Sequence, residues 1–421
     1  MTETSSISPA LKFKLDGECG LARASTIVLP HGPVATPVFM PVGTYGAIKG
    51  LAPHELDGDE NLQPSIILAN TYHLGSRPGA ELLKETEGLH NFMRWGKNLL
   101  TDSGGFQMVS LLKLLTMSEE GVEFANPETG EKMLLTPEYS MEIQNSIGAD
   151  IMMALDDVVS STEDDRDRLV ASSERTIRWL DRCIAAHKRP NDQNLYGIVQ
   201  GGLDPELRSY SLAECVKRDL PGYAIGGLSG GEEKSQFWRV VLQCCNALPK
   251  NKPRYLMGVG YPLDIVCCVA LGVDQFDCVY PTRTARFGTA LVPQGQMRLA
   301  HSKYATDSRP IQEDCSCSTC QRYTRAYLHV IAGKEPLGAK LVTIHNIAYM
   351  LRLGRDMRAA VLDGSFAQFV RTFIANMFPC DANIRPPNWV TECLEVGANI
   401  QIRDMYPMWE HCTPGSDNPR V

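Results

Sequence analysis

Four segments, Leu195–Gly202 (LYGIVQGG), Gly222–Leu228 (GYAIGGL), Arg254–Gly260 (RYLMGVG) and Asp274–Thr282 (DQFDCVYPT), follow one another at helical intervals. Each begins as a short apolar or β-rich run and ends in glycine, amide or acid. Four earlier segments read the same way: VFMPVGTY from Val38, SIILANTYH from Ser65, NLLTDSGGF from Asn98 and DIMMALDD from Asp150. Nearly continuous apolar runs alternating with helices mark a parallel sheet covered on its faces. Helix starts are legible between them: Asp204-Pro205-Glu206 opens one, Glu232 to Leu248 carries an apolar face, and Pro137–Ile147 and Asp165–Ala186 are two more. Eight such units predict an α/β fold, a (β/α)8 TIM barrel; an open doubly wound sheet is the alternative.

Residues 1–37 have β-rich pieces around Thr26–Leu29 and are expected to close one end of the barrel proper, residues 38–292. After about Val292 the pattern gives way to a cysteine cluster and helices, read as a zinc-binding subdomain over 293–378, inserted in or appended to the barrel. A Pro/Asn-rich tail follows over 379–421, with Pro386-Pro387-Asn388 reading as loop. The chain has 421 residues, 43% apolar and 21% charged, which excludes a disordered or low-complexity protein. Its longest apolar run, Ile265 to Ala270 and its neighbours, is far short of the roughly 20 residues a membrane span requires. The N-terminus carries no basic-then-apolar leader, so a cytoplasmic location is expected. Of the 14 cysteines, the adjacent pairs Cys244/Cys245 and Cys267/Cys268 fall in apolar helical stretches and read as buried thiols of a reducing compartment.

A net charge of −8 argues against a surface that coats nucleic acid generally. There is a local exception. From Cys278 to Thr306 there is no Asp or Glu, while Arg283, Arg286, Arg298 and Lys303 are all present. Such a stretch suits an anionic partner, or is a solvated loop.

Three constellations carry chemistry. Cys315-x-Cys317-x2-Cys320 with one histidine makes a closed tetrahedral zinc site, whose binding energy becomes folding energy. His301, His329 and His345 are all in range, and spacing does not choose between them. Asp102, exposed by Gly104 and Gly105 at a strand end, and Asp277, just before the acid-free stretch, suit displacement at a sugar carbon: one as nucleophile, one as acid and base. The plainer alternative for each is a helix cap or an arginine partner. Asp156, Gln200 and the Gly226-Gly227-Leu228 backbone offer the groups that read the edge of a planar heterocycle, with Phe106 or Met257 over its faces. The plainer alternative is a satisfied polar network around the mouth.

Taken as a set, LLTDSGGFQ, NTYHLG, VQGG, AIGGLSGGE, YLMGVG, FDCVYPTRTARFG and the three cysteines resemble the tRNA-guanine transglycosylase family over roughly Phe13 to Phe378. The resemblance implies exchange of guanine at wobble position 34 of tRNA for a modified deazaguanine, through a covalent ribosyl-aspartate intermediate. It makes Asp277 the nucleophile and Asp102 the general acid and base. Ser103, Gly104, Gly105, Asp156, Gln200, Gly227 and Leu228 become base-binding residues, and Phe106 and Met257 the faces of a sandwich. It selects His345 as fourth ligand of one structural Zn2+. It also makes Gly258, Val259, Gly260, Tyr261, Pro262, Leu263 and Asp264, and Thr282, Arg283, Thr284, Ala285 and Arg286, the RNA-facing residues. Val158 and Gly230 stand where bacterial relatives carry cysteine and a bulkier residue, so the pattern is similar to the eukaryotic form and its larger base, queuine. That form pairs with a homologous noncatalytic subunit, with which it reaches the mitochondrial outer surface. Two other functions compete: the noncatalytic tRNA-binding partner itself, which has no need of all three aspartates, and a zinc hydrolase, which needs an open metal position.

Overall fold

The computed structural model describes residues 5–105, 115–125 and 132–417. Eight parallel strands form the central sheet: β1 (Val38–Pro41), β2 (Ile66–Ala69), β3 (Asn98–Thr101), β4 (Ile151–Met153), β5 (Asn194–Val199), β6 (Gly222–Ile225), β7 (Arg254–Leu256) and β8 (Gln275–Cys278). They coincide with the eight runs read from the sequence. β8 pairs with β1 from Gln275↔Val38 to Cys278↔Pro41. The ring closes where Val42 bridges Leu68 and Gly43 N–H donates to Leu68 O at 2.7 Å. The sheet is a barrel, and the open-sheet alternative falls.

Alternation along each strand divides the core in two. Met40, Leu68, Leu100, Met153, Ile198, Ala224 and Tyr255 point inward, whereas Phe39, Ile67, Leu99, Met152, Tyr223, Leu256 and Phe276 meet the surrounding helices. A four-stranded antiparallel sheet (Ser5–Ser8, Leu11–Cys19, Ala22–Leu29, Gly32–Thr36) plugs the barrel floor, adding Leu11, Phe13, Ile27, Leu29 and Val34 to the inner cluster.

The covering helices are α1 (Pro137–Ile147), α2 (Arg166–Ala186), α3 (Pro205–Lys217), α4 (Lys234–Ala247) and α5 (Pro262–Ala270). Asp165 and Asp204 cap α2 and α3 by accepting two backbone N–H groups each. After β8 come a short helix, α6 (Tyr280–Arg286), a hairpin (Thr289–Val292 with Gly295–Arg298), the cysteine segment, and the long helices α7 (Pro336–Leu362) and α8 (Phe366–Met377). α7 packs on α6, on β1 and on the floor sheet. The cysteine segment is therefore threaded between β8 and the helix that covers the closing seam. Beyond α8 the chain does not run as open loop: Pro387 precedes a helix, Asn388–Glu392, whose Trp389 and Val390 are buried, and this region packs on α4 and α5. Among the described residues, no helix is long and apolar enough to cross a membrane.

Candidate active site and metal centre

Every barrel strand has the same polarity, so the residues at their C-terminal ends converge on one mouth. Asp102 follows β3, Asp156 follows β4, Gln200 follows β5, Gly227 and Leu228 follow β6, Met257 follows β7, and Asp277 lies in the last turn of β8.

Asp102 is held rigidly. Its Oδ1 accepts the Thr71 and Gly104 N–H groups, each at 3.1 Å, and its Oδ2 accepts Asn70 Nδ2 at 2.6 Å. The Asn70 amide is itself oriented, because its Oδ1 accepts His73 N–H at 2.9 Å. Desolvation, helped by the charge of Asp277, outweighs these bonds and pushes the Asp102 carboxyl up to about 7. Asp277 Oδ1 accepts Tyr255 Oη at 2.6 Å and Gly258 N–H at 2.8 Å. Burial raises its pKa while these two bonds pull it back.

The third carboxylate is enclosed. Asp156 accepts Ser103 Oγ at 2.9 Å and Gln200 Nε2 at 2.6 Å, and desolvation raises its pKa to about 6. Behind it, buried Asp157 is gripped by Arg168 and Arg175. Gly227 sits at φ +67°, and a Cβ there would collide with Gln200 Oε1, so only glycine lets the peptide approach this amide. Met257 packs against the inner cluster, and Leu228 is buried at the rim. Phe106 lies outside the described residues. Val158 borders Gly105, whose Cβ would stand 3.2 Å from its Cγ2. At Gly230 a Cβ would meet Ser161 Oγ at 2.5 Å, so the glycine's neighbour is the loop after β4.

The elevated pKa of Asp156 has a consequence for stability. A carboxyl that holds its proton to about 6 when folded, against an ordinary 3.8, makes the folded state bind more protons. Stability is therefore lost as pH rises from about 4 to about 6, and the loss, about 3 kcal/mol, persists above that. Asp156→Asn is expected to raise the melting temperature at pH 8, with a smaller gain at pH 5. Melting curves at the two pH values check this; an equal or absent gain contradicts the burial argument.

The RNA-facing stretch divides by depth. Gly258, Tyr261, Arg283 and Arg286 are exposed and Thr284 is half-buried, whereas Val259, Gly260, Pro262, Leu263, Asp264, Thr282 and Ala285 are buried and shape the surface from beneath. Arg298 and Lys303 are also exposed. Asp264 pairs with Lys234 rather than facing outward.

Two functional side chains escaped the sequence reading. Tyr255 lies in β7 two residues before Met257, which follows the strand, so alternation along the extended run puts both on the inner face. Arg208, wholly buried, donates to the carbonyls of Gly202, Val199 and Gly226 and ties the ends of β5 and β6 together. Nothing in its local sequence announces this.

Cys315, Cys317, Cys320 and His345 are buried with their ligand atoms all within 4.8 Å of one another, a set able to hold a metal ion. His345 Nδ1 lies 3.7, 3.7 and 3.3 Å from the three sulfurs. The edge of a zinc tetrahedron between one nitrogen and one sulfur is about 3.6 Å. His345 Nε2 donates to Leu291 O at 2.8 Å, which turns Nδ1 toward the sulfurs. His329 instead contacts Leu299 O through its Nδ1, and His301 caps the turn at Ser302–Tyr304.

The family profile described as "Queuine tRNA-ribosyltransferase" matches residues 17–379. The queuine tRNA-ribosyltransferase catalytic subunit of Schizosaccharomyces pombe is 52% identical over 403 residues, covering 94% of this chain and 98% of the relative. That of Caenorhabditis elegans is 52% identical over 87% of this chain and 91% of its own length. A queuine tRNA-ribosyltransferase of Thermus thermophilus is 46% identical, covering 92% of this chain and 99% of its own. Barrel, mouth and cysteine cluster thus coincide with a match that runs through all of them, and the chain belongs to the queuine tRNA-ribosyltransferase family.

Proposed function

We propose that the chain exchanges guanine at position 34 of tRNA for queuine by double displacement, with Asp277 as nucleophile and Asp102 as general acid and base. The observation that carries this reading is the unequal preparation of two carboxylates at one mouth. Asp277 spends Oδ1 on Tyr255 and Gly258, leaving Oδ2 to attack C1′ of the ribose. As that bond forms, the bond from C1′ to guanine breaks, and the proton on Asp102 passes to the leaving base. Asp102, now a carboxylate, takes a proton from incoming queuine, whose nitrogen attacks C1′ and releases Asp277. Two inversions give net retention. A pKa of about 7 suits both of its duties at neutral pH.

Asp156, Gln200, Ser103 and the Gly227–Leu228 peptide read the edge of the base, which leaves the anticodon stack to reach them. Met257 and Phe106 cover its faces, and Val158 and Gly230 shape the side that takes the larger substituent of queuine. Arg283, Arg286 and Tyr261 meet the anticodon loop. Cys315, Cys317, Cys320 and His345 hold Zn2+, which when bound supplies folding energy to the segment between β8 and α7. The relatives from Schizosaccharomyces pombe and Caenorhabditis elegans are named as catalytic subunits, which supports a heterodimer with a homologous noncatalytic subunit. The complex is cytoplasmic and reaches the mitochondrial outer surface through that partner.

The test is release of labelled guanine from a tRNA with guanosine 34, in single turnover against pH, with and without a second subunit. Only protonated Asp102 can serve guanine and only ionised Asp277 can attack, so adduct formation is expected to fall about tenfold per unit above pH 7 and to fall again in acid as Asp277 takes up its proton. Asp102→Asn is expected to bind tRNA and not turn over. A flat profile to pH 9 assigns the acid to another group, and no release under any condition overturns the reading.

A further inference from the structure

The C-terminal segment matters to the mouth through one lysine. Asp264, in the first turn of α5, is 3% exposed, and its carboxylate is paired with Lys234 Nζ at 2.6 Å. The Lys234 ammonium lies 4.7 Å from the centre of the Phe237 ring, 5.9 Å from Trp389 and 6.0 Å from Tyr261. Trp389 is fixed in turn by Nε1 donating to Asp417 at 2.7 Å. The ammonium is thus held between a buried carboxylate and three aromatic faces, one of them supplied by the segment beyond α8.

Two loops of the mouth meet at this point. Lys234 opens α4, directly after the turn that carries Gly227, Leu228 and Gly230. Asp264 anchors α5, directly after the loop from Gly258 to Tyr261. Gly258 N–H reaches Asp277 Oδ1 at 2.8 Å. Tyr261 contacts Tyr280 with ring centres 4.3 Å apart, and Tyr280 opens the helix that follows Asp277. Where α5 begins therefore sets the direction of the Gly258 N–H, and the Lys234 pair sets where α5 begins.

We infer that Lys234 is a positioning residue for the nucleophile: backed by Trp389, it holds the loop from Gly258 to Tyr261 through Asp264 and so keeps Asp277 aimed at its target. The inference rests on the reading of Asp277 given above. Asp264 is buried and Lys234 is mostly covered, its ammonium committed to that carboxylate and to the aromatic rings, so their loss is expected to act on the chemical step more than on binding. A small misplacement of a reacting group costs up to about a hundredfold in rate.

The experiment measures three quantities for the full chain, with its second subunit if that is required: the rate of covalent adduct formation at saturating tRNA, the KM for tRNA, and the melting temperature. Lys234→Met is expected to slow adduct formation about tenfold, with KM changed less than about threefold. Lys234→Arg keeps the charge and the aromatic contacts and is expected to recover most of the rate. In Lys234→Met, Asp264 is left buried and unpaired, which also lowers stability. The double variant Lys234→Met/Asp264→Asn removes that unpaired charge and is expected to regain the melting temperature but not the rate. Trp389→Ala is expected to share the rate defect in milder form. A rate that follows the melting temperature through all variants, or is unchanged in Lys234→Met, overturns the inference alone. Absence of any adduct in the unaltered protein overturns the reading of Asp277 together with it.

Discussion

Asp277→Asn is expected to end covalent adduct formation with tRNA, a loss on the order of 10⁴-fold or more. An amide oxygen is a poor nucleophile, and no other carboxylate sits where Asp277 sits. The substitution is otherwise gentle. Tyr255 Oη and Gly258 N–H, which donate to Oδ1 at 2.6 and 2.8 Å, find an amide oxygen in the same place. It also removes a charge whose burial raises the pKa, so stability is expected to hold. Denaturing gels of protein mixed with labelled tRNA separate the covalent species, and melting curves and tRNA binding run beside them exclude misfolding. An adduct that survives assigns the nucleophile elsewhere.

The second large effect lies far from the mouth. Cys317→Ser, or chelation, is expected to unfold the segment from the Thr289–Arg298 hairpin to the start of α7. Structural zinc contributes roughly 10–16 kcal/mol to such segments. The loss spreads along one helix. His345 donates to Leu291 O, and its neighbour Asn346 accepts Leu291 N–H and donates to Pro281 O and Thr289 O. The hairpin and α6, which carries Arg283 and Arg286, therefore hang on two adjacent residues of α7. Hydrogen exchange should rise across 289–345 while β5 to β7 keep their protection, and tRNA affinity should fall with it. An unchanged melting temperature without metal contradicts a structural role.

The barrel was legible because its strands are buried on both sides and so announce themselves as apolar runs that stop at glycine or acid. The same punctuation put Asp102, Asp156, Gln200 and Asp277 at strand ends, and topology brought them together. What escaped depends on contacts distant in sequence. The mate of Lys234 is Asp264, with Trp389 far beyond both, and no local pattern links the three. Arg208 resembles any arginine of an amphipathic helix until its three carbonyl partners are in place. Spacing also left His301, His329 and His345 equivalent; the resemblance chose His345, and the fold of α7 sets that residue against the three cysteines. Within Gly258–Asp264 the motif made the whole segment face RNA, but α5 is buried on every side, so Pro262, Leu263 and Asp264 at its start are enclosed with it.

The cover that α7 lays over β1 and the floor sheet has a meaning for the order in which the molecule is made. Arg358, near the end of α7, donates to Ser25 O, Thr36 O and the Asp16 carboxylate. The first strands of the chain thus wait for a residue synthesised near its end. At ~5–20 residues per second, that wait lasts on the order of tens of seconds. During it, the outer faces of β1 and the floor sheet have emerged from the ribosome without their cover. A nascent chain stopped before α7 therefore offers apolar surface to chaperones, and one released after it does not. Covering of β1 and the floor sheet is a late event of synthesis.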